Sequence, residues 1–276
     1  MRPLVAGVAH PRTLGAVLLD CGGSLDALGR DMLEVFANSV SQRLVDYNRE
    51  RRHLSQFFAN TVVDELVGMF DYTKLLSPRV QTVGILYADI NSFTSICEKA
   101  LRRPDRIGRF VDLWSAGVVE QVWKHGGVFD KMVGDCVIAH FGPPFFRDAP
   151  RERALQALDS AFAIQRFTRD LAAKPEFAKL AQEAGLPGLG VAIGVNLCPA
   201  AVGLFGPNRD FSAFSRGMNE AARLQSHAGF REVLAMESVR AALGPRVPGY
   251  RLEGPFEAAV KNVGRPLRYH RVTETR

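Results

Sequence analysis

The chain has 276 residues, 47% apolar and 23% charged, an ordinary globular composition that excludes a disordered bulk. Its net charge of +6 and pI of about 9.3 suit an anionic partner without choosing among nucleotide, nucleic acid and acidic membrane. The four cysteines (Cys21, Cys97, Cys136 and Cys198) form no CxxC pair and no zinc spacing. No apolar run reaches the roughly 18 residues of a spanning helix. Pro3, His10, Pro11 and Arg12 interrupt the apolar N-terminus, so neither signal peptide nor span is expected and the protein reads as cytoplasmic.

Along the chain, residues 14–20 (LGAVLLD) read as a short buried strand followed by a Gly22-Gly23-Ser24 turn. From Leu25 to about Arg52, Leu28, Met32, Val35, Phe36, Val40, Leu44 and Tyr47 recur at three- and four-residue steps, which predicts a long helix. Its apolar stripe would be buried either by a second copy or by the chain's own domain. Residues 53–68 read as a second helix and 69–81 as a loop. TVGILYADI then predicts a strand, and residues 104–125 a helix opened by Pro104 and closed by Gly126-Gly127. VFDKMVGDCVIAHF predicts a hairpin with its tip near Met132 to Gly134. Residues 151–182 read as helical, LGVAIGVNL as a buried strand, VGLFGPNRDFSAF as a strand or hairpin turning at Gly206 to Asn208, and 218–227 as a helix. FEAAVKNVGRPLRYHRV closes the chain as two short strands about a turn. Alternating strands and helices from about residue 81 predict an α+β body.

The acidic residues at two of these junctions carry chemistry. Asp89 stands where an apolar strand meets Ile90-Asn91-Ser92-Phe93-Thr94, read as a helix start whose free N–H groups suit phosphate. Asp135 follows Gly134 at the hairpin tip. Taken singly, the first is an N-cap and the second a turn residue. Taken together, two carboxylates can share hard divalent cations that hold a nucleotide's phosphates. Asn219 and Arg223, spaced i, i+4, share a helix face and could orient a ribose and neutralise a phosphate; a cap and an exposed arginine are the plain alternative. Lys131 could donate to a base nitrogen and Ser212 could accept from an exocyclic amine, the combination adenine presents. A solvated hairpin lysine is the plain alternative there.

In this order, LYADINSFTSICE, GGVFDKMVGDCVIAHFG, LGVAIGVNLCPAAVG, DFSAFSRGMNEAARL and VKNVGRPLRYHRV resemble the class III nucleotidyl cyclase catalytic domain, over about residues 81–272. The resemblance implies a ferredoxin-like α+β domain with an antiparallel sheet, working as a head-to-tail homodimer. It implies two Mg2+ or Mn2+ ions held by Asp89, Ile90 and Asp135, and catalysis by Asn219 and Arg223 from the other subunit. Phe93, Thr94, Lys131, Ser212 and Lys261 would contact substrate, with Arg265 a second candidate for the terminal phosphates. Ser212 stands where Asp or Thr is common, and Arg216 is unexpected in a segment that often reads Gly-Asp-Thr-Val. The expected activity is ATP to 3′,5′-cyclic AMP and pyrophosphate; a guanylate or pyrimidine cyclase and a silent regulatory module are the alternatives. Nucleic acid is not an expected partner, for want of a binding motif. The organisation implied is a 1–25 leader weakly resembling the tail of a GAF domain, a 26–80 helical linker coupling some upstream sensor, and the catalytic domain over 81–276.

Overall fold

The computed structural model describes residues 2–3, 16–17, 23–24, 26–260 and 265–275. Most of the strand expected at 14–20, and Gly22 of its turn, lie outside these; Ala16–Val17 (β2) pairs with Arg2–Pro3 (β1). The chain divides into two compact units, one of residues 1–56 and 60–70, the other of residues 57–59 and 71–276.

In the first unit, helix α1 spans Ala27–Leu54, with the Asp26 carboxylate accepting from the Gly29 N–H as its N-cap. Helix α2 is Asn60–Val67. The single helix expected over 53–68 is therefore corrected. The chain leaves α1 at Ser55, whose hydroxyl bonds back to the Arg51 carbonyl, and restarts at Asn60. Arg51 of α1 is ion-paired with Asp64 of α2. Leu28, Met32, Val35 and Phe36 are exposed.

The second unit begins its regular structure with a one-turn helix, Tyr72–Leu75 (α3), capped by Asp71 inside the expected loop. Strand β3 (Arg79–Ile90) leads through a three-residue helix (α4, Phe93–Ser95) and a π-helix (Ile96–Leu101) to α5, Pro104–Lys124, with proline in its first turn. The hairpin β4 (Gly127–Val133) and β5 (Cys136–Phe141) follows. Next comes α6, Pro150–Ala172, shorter than the helix expected over 151–182. The chain turns through Pro175, and a separate short helix α7 covers Leu180–Ala184. Proline lacks the N–H and crowds the preceding turn, so the pattern breaks there. Strand β6 (Val191–Phe205) forms a hairpin with β7 (Asp210–Phe214), followed by α8 (Arg216–His227). Then β8 (Val233–Met236), α9 (Glu237–Leu243), β9 (Tyr250–Ala258) and β10 (Leu267–Glu274) complete the chain.

The sheet order is β4-β5-β3-β6-β8-β10-β9, with β7 pairing the far end of β6. Its first four strands with α5 and α6 trace a β-α-β-β-α-β unit, the ferredoxin-like arrangement. The pairings are antiparallel, as expected, except β6 with β8, which is parallel because α8 crosses between them.

Side-chain alternation places the two faces of the sheet in different environments. Leu86, Ala88 and Ile90 of β3 and Ile193 and Val195 of β6 enter one large core with Phe110, Trp114 and Val118 of α5 and Leu158, Ala161 and Ile164 of α6. Asp89, on the other face of β3, points to the side where α8 lies. Helix α8 sits close because Gly194 has no side chain; a Cβ there would come 2.6 Å from the Ala221 carbonyl oxygen. Leu224 of α8 joins Leu234, Met236 and Leu267 in a smaller core on that face.

Candidate active site

Asp89 and Asp135 meet because Asp89 is the register partner of Cys136, the residue after Asp135. The β4–β5 connection is the two-residue turn Gly134-Asp135, and Gly134 takes the positive φ of 64° that such a turn favours. Asp135 is thus held at the end of β3. Burial, contact with Asp89 and the charge of Asp89 push the Asp135 carboxyl up to about 7, against the N–H groups of Asp135 and Ile90, which favour its anion. Its own burial, and then the same anionic corner, push the Cys136 thiol up to about 12. Asp89 Oδ2 accepts from Gln225 Nε2 of α8 at 3.4 Å, whereas Asp89 Oδ1 is buried with no hydrogen-bond partner.

Among the described residues no cluster of three or more His, Cys, Asp or Glu side chains forms, so the centre is a carboxylate pair. The donor set still fits a hard divalent cation: two carboxylates pressed together, one of them with an orphaned buried oxygen.

The helix expected to start right after Asp89 is displaced. Ile90 still belongs to β3, the Asn91 N–H bonds the Gly190 carbonyl at 2.9 Å, and the Asn91 side chain accepts from the Arg231 N–H at 3.1 Å. Ser92 is left-handed, with φ 58° and no side-chain cap bond, so Phe93 and Thr94 open the first turn. Their N–H groups lack intrahelical acceptors, as at any helix start.

Asn219 and Arg223 lie on the exposed face of α8 and make no ion pair or hydrogen bond among the described residues. Gln225, two residues beyond Arg223 and so about 200° round the helix, is the residue that reaches Asp89. One chain therefore keeps its arginine turned away from its own carboxylates. Ser215, accepting from the Met218 N–H at 3.1 Å, is the N-cap of α8. The unexpected Arg216 is half of an i, i+4 ion pair with Glu220 at 3.1 Å. Arg265 is a second cation for Glu220, at 3.9 Å, and Lys261 lies outside the described residues.

Lys131 approaches β7, the strand that carries Ser212. The Lys131 ammonium stands 5.8 Å from the ring centre of Phe214, two residues along β7 from Ser212. Ser212 is buried with its hydroxyl unpartnered.

Residues 75–270 match the family model described as the Adenylate and Guanylate cyclase catalytic domain. The chain belongs to the adenylate and guanylate cyclase family. Solved structures agree on the fold of this cyclase domain. The adenylyl cyclase CyaB from P. aeruginosa is 23% identical, with a TM-score of 0.62 over 73% of this chain and 98% of that one. The guanylyl cyclase Cya2 is 22% identical, with a TM-score of 0.56 over 71% of this chain and 93% of that one. The guanylate cyclase domain of RhGC from Catenaria anguillulae, solved with GTP, is 18% identical, with a TM-score of 0.57 over 72% and 100%. At such identities the likeness fixes the cyclase fold and leaves the base open. No curated protein sequence matches the chain. Among the described residues no helix is long and apolar enough to cross a membrane.

The residues that sequence reasoning missed are those bracing the site. Gln225 is joined to Asp89 across 136 positions, and Asp130 to His140 by a buried bond of 2.9 Å within the hairpin. An imidazole in the otherwise apolar run VIAHF was the signal available for the second. For Gln225 no local signal existed.

Proposed function

We propose that this cyclase converts ATP to 3′,5′-cyclic AMP and pyrophosphate, at sites shared between two copies of the chain. The observation that carries this reading is the division within one chain: a half-buried carboxylate pair with an orphaned oxygen, and an Arg223 that faces away from it and has no partner among the described residues. A second copy related by two-fold symmetry would bring each Arg223 to the other's carboxylates, and both sites would be equivalent.

Asp89, Asp135 and the Ile90 carbonyl are the groups that would hold two Mg2+ or Mn2+ ions, whose chemistry is to acidify the ribose 3′-hydroxyl and neutralise the triphosphate. Asn219 orients the ribose, fixing the 3′-oxygen in line with the α-phosphate. Arg223 takes the charge that develops on that phosphate as the bond to pyrophosphate breaks. The N–H groups of Phe93 and Thr94 and the Lys261 ammonium hold the β- and γ-phosphates. Lys131 donates to adenine N1, and Ser212, with its free hydroxyl oxygen, accepts from the N6 amine. Guanine presents the opposite pattern, with O6 accepting and N1–H donating. Residues 26–80 act as the linker that couples an upstream sensor to the pair, with 81–276 as the catalytic domain, and the protein works in the cytoplasm, where ATP is supplied.

The test is purified protein with Mg2+ or Mn2+ and each of ATP, GTP, CTP and UTP. The expected product is cyclic AMP, with kcat/KM highest for ATP. Preference for GTP would make it a guanylate cyclase, and no cyclic product from folded dimer would leave a regulatory cyclase-fold module.

A further inference from the structure

The hairpin holds a buried acid–imidazole pair that the mechanism above does not use. Asp130 is 5% exposed and His140 is wholly buried, and His140 Nε2 bonds Asp130 Oδ2 at 2.9 Å. A buried pair of this kind contributes little to stability compared with apolar residues of the same size. Its placement is specific. The β4–β5 register slips between Phe129 and Lys131, so two residues of β4, Asp130 and Lys131, oppose a single step of β5. Such a bulge redirects side chains. Here it leaves Asp130 buried while Lys131 stands on the exposed rim. The other carboxylate oxygen, Asp130 Oδ1, lies 3.5 Å from the Lys131 ammonium, and the Phe214 ring lies on that ammonium at 5.8 Å.

A lysine head on a four-carbon stem has three donors and no fixed direction. One donor directed to Asp130 and a ring beside the head fix where the remaining donors point. His140 in turn fixes the carboxylate, since its Nε2–H occupies the oxygen that Lys131 does not. We propose that Asp130 and His140 are positioning residues for base selection, aiming the Lys131 ammonium so that it and Ser212 read adenine at a set spacing. The proposal rests on the reading of Lys131 as a base reader.

The experiment compares ATP with GTP, both as kcat/KM and as nucleotide Kd, so that a readout survives if turnover is absent. Asp130→Asn keeps the shape and removes the charge. Its ATP/GTP ratio is expected to fall about tenfold, through KM, with kcat within about threefold of wild type. His140→Leu moves the ratio the same way, whereas His140→Gln, whose amide can donate from nearly the same position, retains it. In a Lys131→Ala background, Asp130→Asn is silent, because residues acting through one another are not additive. Folded Asp130→Asn and His140→Leu proteins with the wild-type ratio would overturn the proposal, as would a full Asp130→Asn effect without Lys131. Where those two variants do not fold, Asp130→Glu and His140→Gln decide: a lowered ratio in the first and a retained one in the second supports it, and equal ratios overturn it. An unchanged ratio in Lys131→Ala is a separate result, which removes the base-reading role of Lys131 and this proposal with it.

Discussion

The carboxylate corner and the exposed face of α8 lie on the same side of one sheet, yet they are built oppositely. At the corner, Asp89 and Asp135 are half-buried, crowded and braced by Gln225 and the hairpin turn. On α8, Asn219 and Arg223 are exposed and have no partner among the described residues, on a helix whose opposite face is packed. The first is crowded in a way that a proton or a counter-charge relieves; the second has charge to give and no receiver among the described residues. The proposed site would join these two halves across two copies of the chain.

The most direct way to break this comparison is to empty the corner. Asp89→Ala or Asp135→Ala should lower turnover by on the order of 10³-fold or more, since several kcal/mol of charge stabilisation is removed. Retained cyclase activity in either would refute the assignment. Arg223→Ala should cost on the order of 10²–10³ in kcat. Mixing Asp89→Ala with Arg223→Ala protein sharpens the test. Heterodimers carry one intact site, so random pairing should restore roughly a quarter of wild-type turnover. No recovery on mixing would mean that both sets act within one chain. Smaller still, Lys131→Glu should lower the ATP/GTP ratio of kcat/KM by about 10–100-fold, the worth of one hydrogen bond from a charged donor.

The smallest expected effect concerns the strain itself. The Asp135 carboxyl is raised from 3.8 to about 7, so its folded state favours the protonated form. That contribution is fully present below the unfolded value and is lost as pH rises through the folded one. Metal-free protein should therefore melt lower at pH 8 than at pH 5, and Asp135→Asn should flatten this slope. For a half-exposed group, solvent screening keeps the change to about 2–4 °C. A melting temperature that rises with pH, or an unchanged slope in the variant, would show that the corner is not strained.

Sequence legibility followed the range of the interactions. Helix α5 and the β4–β5 hairpin were readable because proline, paired glycines and apolar alternation act within a few residues. Asp89 and Asp135 were readable because each marks a local junction. The π-helix at Ile96–Leu101 was not, since its apolar spacing differs little from that of an α-helix. Strand β8 and helix α9 went unread: VLAM is four residues with no alternation, and its strand identity comes from pairing with β6 and β10. The interruptions at Ser55 and Pro175 lie inside apolar patterns that run on across them. The bonds from Gln225 to Asp89 and from His140 to Asp130 exist only after the sheet has formed.

The bond between Gln225 and Asp89 gives α8 a second duty. Its outward side would serve a neighbour's phosphate chemistry while its inward side steadies the acid of the home centre, about half a turn away. In a symmetric pair, a small roll of this one helix would be felt at both centres together, so neither could be adjusted alone.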